Sequence, residues 1–246
     1  MLLIKCVGLF FLLSCQAGSG QVVSRVFLIN HIGYMVELIQ ETVMEIERRH
    51  WSSLKADDFI VDVDATVLGK HLSGTISYSN GFLVTIQDVN VLETSLTQAW
   101  SLQPDNTVRV EMQGQLRIVD VQIGWDVNTN INGNHYYTGS VRIPLITFNF
   151  SVIKNMHTHK ITVTVTGEQD MTQTSSNYYK MHLVPFNTLS DTLMSTYQAN
   201  TTIRTVNTWA IEVIQPIAHD LVMNKLDFPE LCYDCTLTEA NEDWYG

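Results

Sequence analysis

The order of patterns along the chain constrains its fold more than any single motif. Helical periodicity comes first, a long run of strand pattern follows, and helical periodicity returns near the end. In the first stretch, Val22 to about Glu47, the residues Leu28, Ile32, Met35, Ile39, Val43 and Ile46 recur at three and four positions and share one stripe. Glu37, Glu41, Glu45 and Arg48 lie away from it. A helix of about seven turns with one apolar stripe needs an equally long surface to lie against. The strand region that follows must supply that surface.

Strand pattern begins near Asp58. Val61, Val63, Ala65 and Val67 alternate with Asp62, Asp64 and Thr66, as in a half-buried strand. Leu72, Gly74, Ile76 and Tyr78 alternate up to Asn80-Gly81, a dipeptide that predicts a hairpin turn. Further turns are expected at Pro104-Asp105-Asn106, Asn132-Gly133 and Asn155 to His159. Turns at this rhythm with no helix between them mean an antiparallel meander. Twice the apolar residues change parity within one run. The first change falls at Ile118/Val119, between Val108–Ile118 and Val119–Val127, and the second at Leu145/Ile146, beside Pro144. Side-chain period is two, so a bulge at each switch would keep one greasy face and bend the strand. Alternatively, each switch is a turn between two short strands.

In the C-terminal part Asn187 can cap a short helix carrying Leu189, Leu193 and Tyr197. A second stripe, Ile203, Val206, Ala210, Val213, Ile214, Ile217 and Leu221, is interrupted by Pro216, which predicts a kink. After Leu226 the chain reads as an acidic, mostly irregular tail. The fold class expected is α+β: a long N-terminal helix wrapped by a strongly curved antiparallel β-sheet and closed by C-terminal helices.

Residues 1–20 read as a signal peptide, with Lys5, an apolar run from Val7 to Leu13, and small residues from Ser14 to Gly20. Leu12-Leu13-Ser14-Cys15 also resembles a lipobox, which would place a lipid on Cys15. Residues 21–226 form a single domain and 227–246 the tail, and no later stretch is apolar enough for a membrane helix. A secreted, extracellular protein is expected. Cys232 and Cys235 then pair as a local disulfide, and Asn149 and Asn200 head glycosylation sequons. A net charge of −11 argues against nucleic acid, which needs a basic footprint.

Catalytic patterns are missing. There is no Gly-x-Ser-x-Gly elbow and no glycine-rich phosphate loop. His157 and His159 sit at an expected turn without a third metal ligand. Asp57, Asp58, Asp62 and Asp64 read as a solvated strand face, and His31 and His219 as solvated helix residues. No enzyme activity, metal or cofactor is expected.

The long helix from Val22 to Glu47, the meander from Asp58 to Val184, and the closing helix with Val213-Ile214-Gln215-Pro216-Ile217 together resemble the TULIP superfamily of lipid-binding proteins. Within it the chain is most similar to the mite group 7 allergens and their arthropod relatives. The likeness covers nearly all residues after Gly20. Takeout and juvenile-hormone-binding relatives carry an early disulfide, whereas no cysteine lies between Gly20 and Cys232 here. Bactericidal-permeability relatives use basic surfaces, and this chain is acidic. The resemblance implies reversible binding of a lipid or other hydrophobic small molecule in an apolar cavity between sheet and helices. On that basis the cavity walls are Leu28, Ile32, Met35 and Ile39 from the first helix, Val121, Ile123, Trp125, Phe148 and Phe150 from the sheet, and Val206, Ala210, Val213 and Ile217 from the last helix. Two other readings stand beside it: an extracellular recognition or interaction protein of the same fold with a filled core, and a secreted hydrolase.

Overall fold

The computed structural model describes residues 26–67, 69–170, 178–197, 200–233 and 235. The expected signal peptide lies outside them, as does the start of the expected first helix from Val22 to Arg25. That helix is shorter than its stripe suggested. Helix α1 runs His31–Arg48, 18 residues, a length of ~27 Å. Asn30 starts it from the left-handed region at φ 49°, and its side chain accepts the Gly33 amide at 3.1 Å. Before that cap the chain is extended: β1, Val26–Leu28, pairs antiparallel with Leu231–Tyr233 near the C-terminus. Leu28 is therefore a strand residue. Its four-residue spacing from Ile32 imitates a helical stripe across the cap.

The other strands are β2 (Lys55–Ala56), β3 (Phe59–Val67), β4 (Lys70–Thr85), β5 (Asp88–Val91), β6 (Thr97–Leu102), β7 (Val108–Thr129), β8 (His135–Asn155), β9 (Ile161–Gln169) and β10 (Met181–Val184). They form one 9-stranded sheet, and its paired strands run antiparallel. The turns at Pro104–Asn106, Asn132-Gly133 and Asn155–His159 are present, with Asn106, Asn132 and His159 at positive φ. Asn80-Gly81 is not a turn. It lies inside β4, where the register against β7 shifts between Ser79 and Phe82, and Asn80 has φ 55°. The dipeptide makes a bulge because Gly81 must pass the Trp125 ring: a Cβ there would lie 2.3 Å from Trp125 Nε1.

The two long strands β7 and β8 pair along their whole length. Both change face at one line across the sheet. Ile118 and Val121 are both buried in β7, as are Ile143 and Ile146 in β8, so each strand carries one extra residue there. Val119 pairs with Leu145 and Val121 with Ile143, leaving Asp120 opposite Pro144. The expected bulge would set two residues against one. Here an extra residue on each strand cancels the shift, one position from where the sequence placed it. Asp120 takes φ 54°, and Arg142 Nε donates to its Oδ1 at 3.1 Å. Pro144 has no amide to place in the ladder.

The flanking strands break along the same line. β4 ends at Thr85 opposite Gln122, and β5 begins at Asp88 opposite Val119. On the other side β9 ends at Gln169 opposite Ile146, and β10 pairs with Val141 through Met181. Only β7 and β8 cross. The sheet is thus two short-stranded halves joined by a two-stranded spine.

Helix α1 packs on the half containing β5, β6 and the first part of β7. Its buried residues are His31, Tyr34, Met35, Val36, Leu38, Ile39, Thr42 and Ile46. Helix α2, Thr188–Met194, packs on β10 and opens with a capping box between Asn187 and Ser190. Helix α3, Asn200–Thr208, passes into a π-helical segment, Trp209–Ile214, and then α4, Gln215–Asn224. Where Pro216 predicts a kink, the helix carries this π segment just ahead of the proline, which sits in the first turn of α4. It moves the buried stripe by one residue. Trp209, Ala210, Ile214 and Ile217 are buried, whereas Val213 is half-buried and Ile203 exposed.

The described residues after Leu226 are joined to the domain. Strand β11, Leu231–Tyr233, pairs with β1, the Ile29 amide donates to Glu230 O at 2.9 Å, and Phe228 packs 5.9 Å from the Tyr34 ring. Cys232 and Cys235 are joined in a disulfide. Residue 234 and residues 236–246 lie outside the described part.

Candidate ligand-binding site

Two places could receive an apolar molecule: the interior between sheet and helices, and the seam where α1 meets the sheet edge. The interior holds the residues expected as cavity walls. Leu28, Met35, Ile39, Val121, Ile123, Phe148, Val206 and Ala210 are 0% exposed, and Trp125, Phe150 and Ile217 are buried with them. Ile32 and Val213 are half-buried and pack against the same cluster. These residues join one continuous core spanning both halves of the sheet. The helices come close to the sheet there: a Cβ added at Gly167 would lie 2.6 Å from Val206 Cγ1.

At the other end of the core Phe59 stacks on Tyr78 at 4.2 Å, and Trp125 and Tyr197 close the group at 6.0–6.4 Å. Burial pushes the Tyr78 phenol up to about 12, against a lowering hydrogen bond from Thr196. Burial likewise raises Tyr197 and Tyr34.

The seam is open. A groove of about 570 Å³ runs between α1 and β5, a size typical of small-molecule sites. Val36, Gln40, Val43, Met44 and Glu47 form one wall, on the side of α1 next to its core stripe. Val89, Asn90 and Val91 of β5, with Glu93 from the 3₁₀ turn Glu93–Ser95, form the other. Leu116 of β7, 0% exposed, forms the floor and ties the groove to the core. β5 is a short edge strand. That is why the helix and sheet leave a gap here rather than a closed contact.

None of the expected wall residues lines this groove. The sequence reading followed the centre of the α1 stripe and missed its flank. A signal was present: Val36, Gln40, Val43, Met44 and Glu47 recur at helical spacing, and Val89 and Val91 alternate.

Asn149 lies half-buried on the outer face of β8, where its Oδ1 accepts from Gln115 Nε2 at 2.8 Å. Asn200 begins α3, and its side chain lies outside the described residues. His157 Nδ1 accepts the Val108 amide at 3.2 Å in the β8–β9 turn. Among the described residues no three His, Cys, Asp or Glu side chains gather as a metal site, and no helix is long and apolar enough to cross a membrane.

His31, expected in solvent, is 2% exposed. Its Nδ1 lies 3.0 Å from Gln98 Nε2. Gln98 Oε1 accepts the Leu28 amide at 2.9 Å and Trp100 Nε1 at 3.1 Å. Two donors on the oxygen turn the Gln98 amide nitrogen toward His31, so Nδ1 is the acceptor.

No protein-family model matches the chain, and no curated protein matches it in sequence. Among solved structures it is similar to the crystal structure of lipopolysaccharide binding protein, at a TM-score of 0.47 and 12% identity. The likeness covers 81% of this chain and 40% of that one. A likeness at this level carries neither fold nor ligand across. The functional conclusion rests on the groove.

Proposed function

We propose that the protein is a secreted binder or carrier of a lipid or other hydrophobic small molecule, without catalytic activity. The observation that carries this is the groove between α1 and β5, where Val36, Val43, Met44, Val89 and Val91 lie above a floor of core leucine and polar residues share the walls. A helix seated against a large antiparallel sheet agrees with the TULIP resemblance, and likeness to the arthropod group 7 relatives is the finer part of this proposal. The leader-like residues 1–20 and the Cys232–Cys235 disulfide support an extracellular location. Asn149 faces outward, where a glycan would leave the groove clear.

The test is retention of apolar molecules by purified protein in native mass spectrometry, with titration of a neutral fluorescent probe such as N-phenyl-1-naphthylamine. Val43→Trp places an indole in the groove from a half-buried helix position. It is expected to weaken probe binding at least tenfold while unfolding stays cooperative, with overpacking at this half-buried site costing no more than about 1–3 kcal/mol. Unchanged probe binding in Val43→Trp would remove the groove from consideration.

A second reading has its own support. The expected cavity walls all belong to one continuous core, as in a recognition protein of the same fold with a filled interior. That reading predicts no retained lipid and no probe binding in the wild-type chain.

A further inference from the structure

We infer that the α1–β5 groove selects an amphiphile with a cationic head, such as a long-chain amine or quaternary ammonium, over one with an anionic head. This rests on the binding role proposed for the same groove. Floor and rim differ in chemistry. The floor is Leu116 with Val36 beside it, both buried. The charged residues of the lining are Glu47 and Glu93, both exposed, one on each wall. Glu47 comes from the last turn of α1, and Glu93 from the 3₁₀ turn that follows β5. A head group at the mouth therefore meets carboxylates from both sides.

Among the described residues no lysine, arginine or histidine shares the lining. The basic residues beside Glu47 are occupied elsewhere. Arg49 Nε donates to Glu45 Oε1 at 2.9 Å, and Arg48 bonds the same carboxylate. Arg117 pairs in register with Asn90 but alternates with buried Leu116 and Ile118, which puts it on the opposite face of the sheet. Asn90 and Asp88 share that outer face, where Asn90 Nδ2 donates to Asp88 Oδ2 at 2.7 Å, so neither side chain enters the groove. Gln40 supplies a neutral amide that any head group could use. An anionic head would enter against like charge, whereas a cationic head would pair at both rims while its chain lay along the valines. Two solvent-exposed pairs amount to a preference of about three- to tenfold, which shrinks as salt rises.

The experiment is isothermal titration of the full chain with three amphiphiles of equal tail length, each below its micelle concentration: dodecyltrimethylammonium, dodecyl maltoside and dodecanoate. The ammonium is expected to bind about three- to tenfold tighter than the carboxylate, with the maltoside between. In Glu47→Gln/Glu93→Gln that ratio should fall close to one. In Asp62→Asn/Asp64→Asn, which makes the same change in net charge on β3, it should stay. Dodecanoate binding as tightly as the ammonium, or a ratio that survives in the Glu47/Glu93 variant, overturns the inference. If all three bind alike, the selectivity falls and the binding role stands. If none binds, both fall.

Discussion

Single residues hold this fold at points where the backbone has no slack. At Gly81 the bulged strand β4 crosses the Trp125 indole, and Ala56 Cβ would lie 2.7 Å from an added Cβ. Neither neighbour is a flexible chain end, so something in the aromatic group must move. Gly81→Ala is expected to cost about 1–3 kcal/mol, the usual range for overpacking, measured as a shift of the urea midpoint without a change in slope. A shift below about 0.5 kcal/mol would mean that the indole yields freely. Asn80-Gly81 also marks a limit of sequence reading. The dipeptide favours positive φ, and both a hairpin turn and a bulge use that conformation. Only the partner strand distinguishes them, and that partner, β7, lies some forty residues further along. His31 was misplaced for a similar reason. The residue that buries it, Gln98, is 67 positions away, and nothing local signals the pair.

Elements were legible where one periodicity ran without interruption, and less so at their junctions. The meander, the Asn187 cap and most of α1 follow from local pattern. The start of α1 does not, because Leu28 continues the stripe's spacing through a strand. The π segment before Pro216 also escapes, since it inserts a residue without changing composition. The parity switches in β7 and β8 were readable, yet their coupling was not, because pairing register is non-local. Asp120 tests the coupling. Its φ of 54° suits Asp or Gly and disfavours a β-branched residue. Asp120→Val should destabilise by about 1–3 kcal/mol through backbone strain. Asp120→Gly should stay within about 0.5 kcal/mol of wild type, as backbone relief offsets the lost surface pair with Arg142. Equal midpoints for the two variants in chemical denaturation would show that the backbone there is free to relax.

At the scale of the whole molecule, buried phenols on several elements set an alkaline limit. Tyr78 is fully buried and pushed up to about 12 by burial, and Tyr179 is raised to about 12 by burial and by Asp170. Burial raises Tyr34 and Tyr197 too. The folded chain holds these protons while the unfolded chain releases them near pH ~10. Stability is therefore full below that pH and falls as pH rises toward the folded values. Tyr78 alone removes about 2 kcal/mol by pH 12. Tyrosinate absorbance should show some tyrosines titrating near pH ~10 and the rest only with cooperative unfolding. Titration of all tyrosines together with the fold intact would contradict this.

The paired irregularity at Asp120 and Pro144 has a consequence for how β7 and β8 find each other. A long hairpin of alternating residues can slide by two positions and still show the same faces. Here such a slide would separate the two extra residues, so each strand would turn over opposite a partner that had not. A run of side chains between them would point to the wrong side. The proline's missing amide would also face an ordinary hydrogen-bonding position. The two defects thus work as a detent, tolerating one alignment of the spine and penalising its neighbours along the whole sheet.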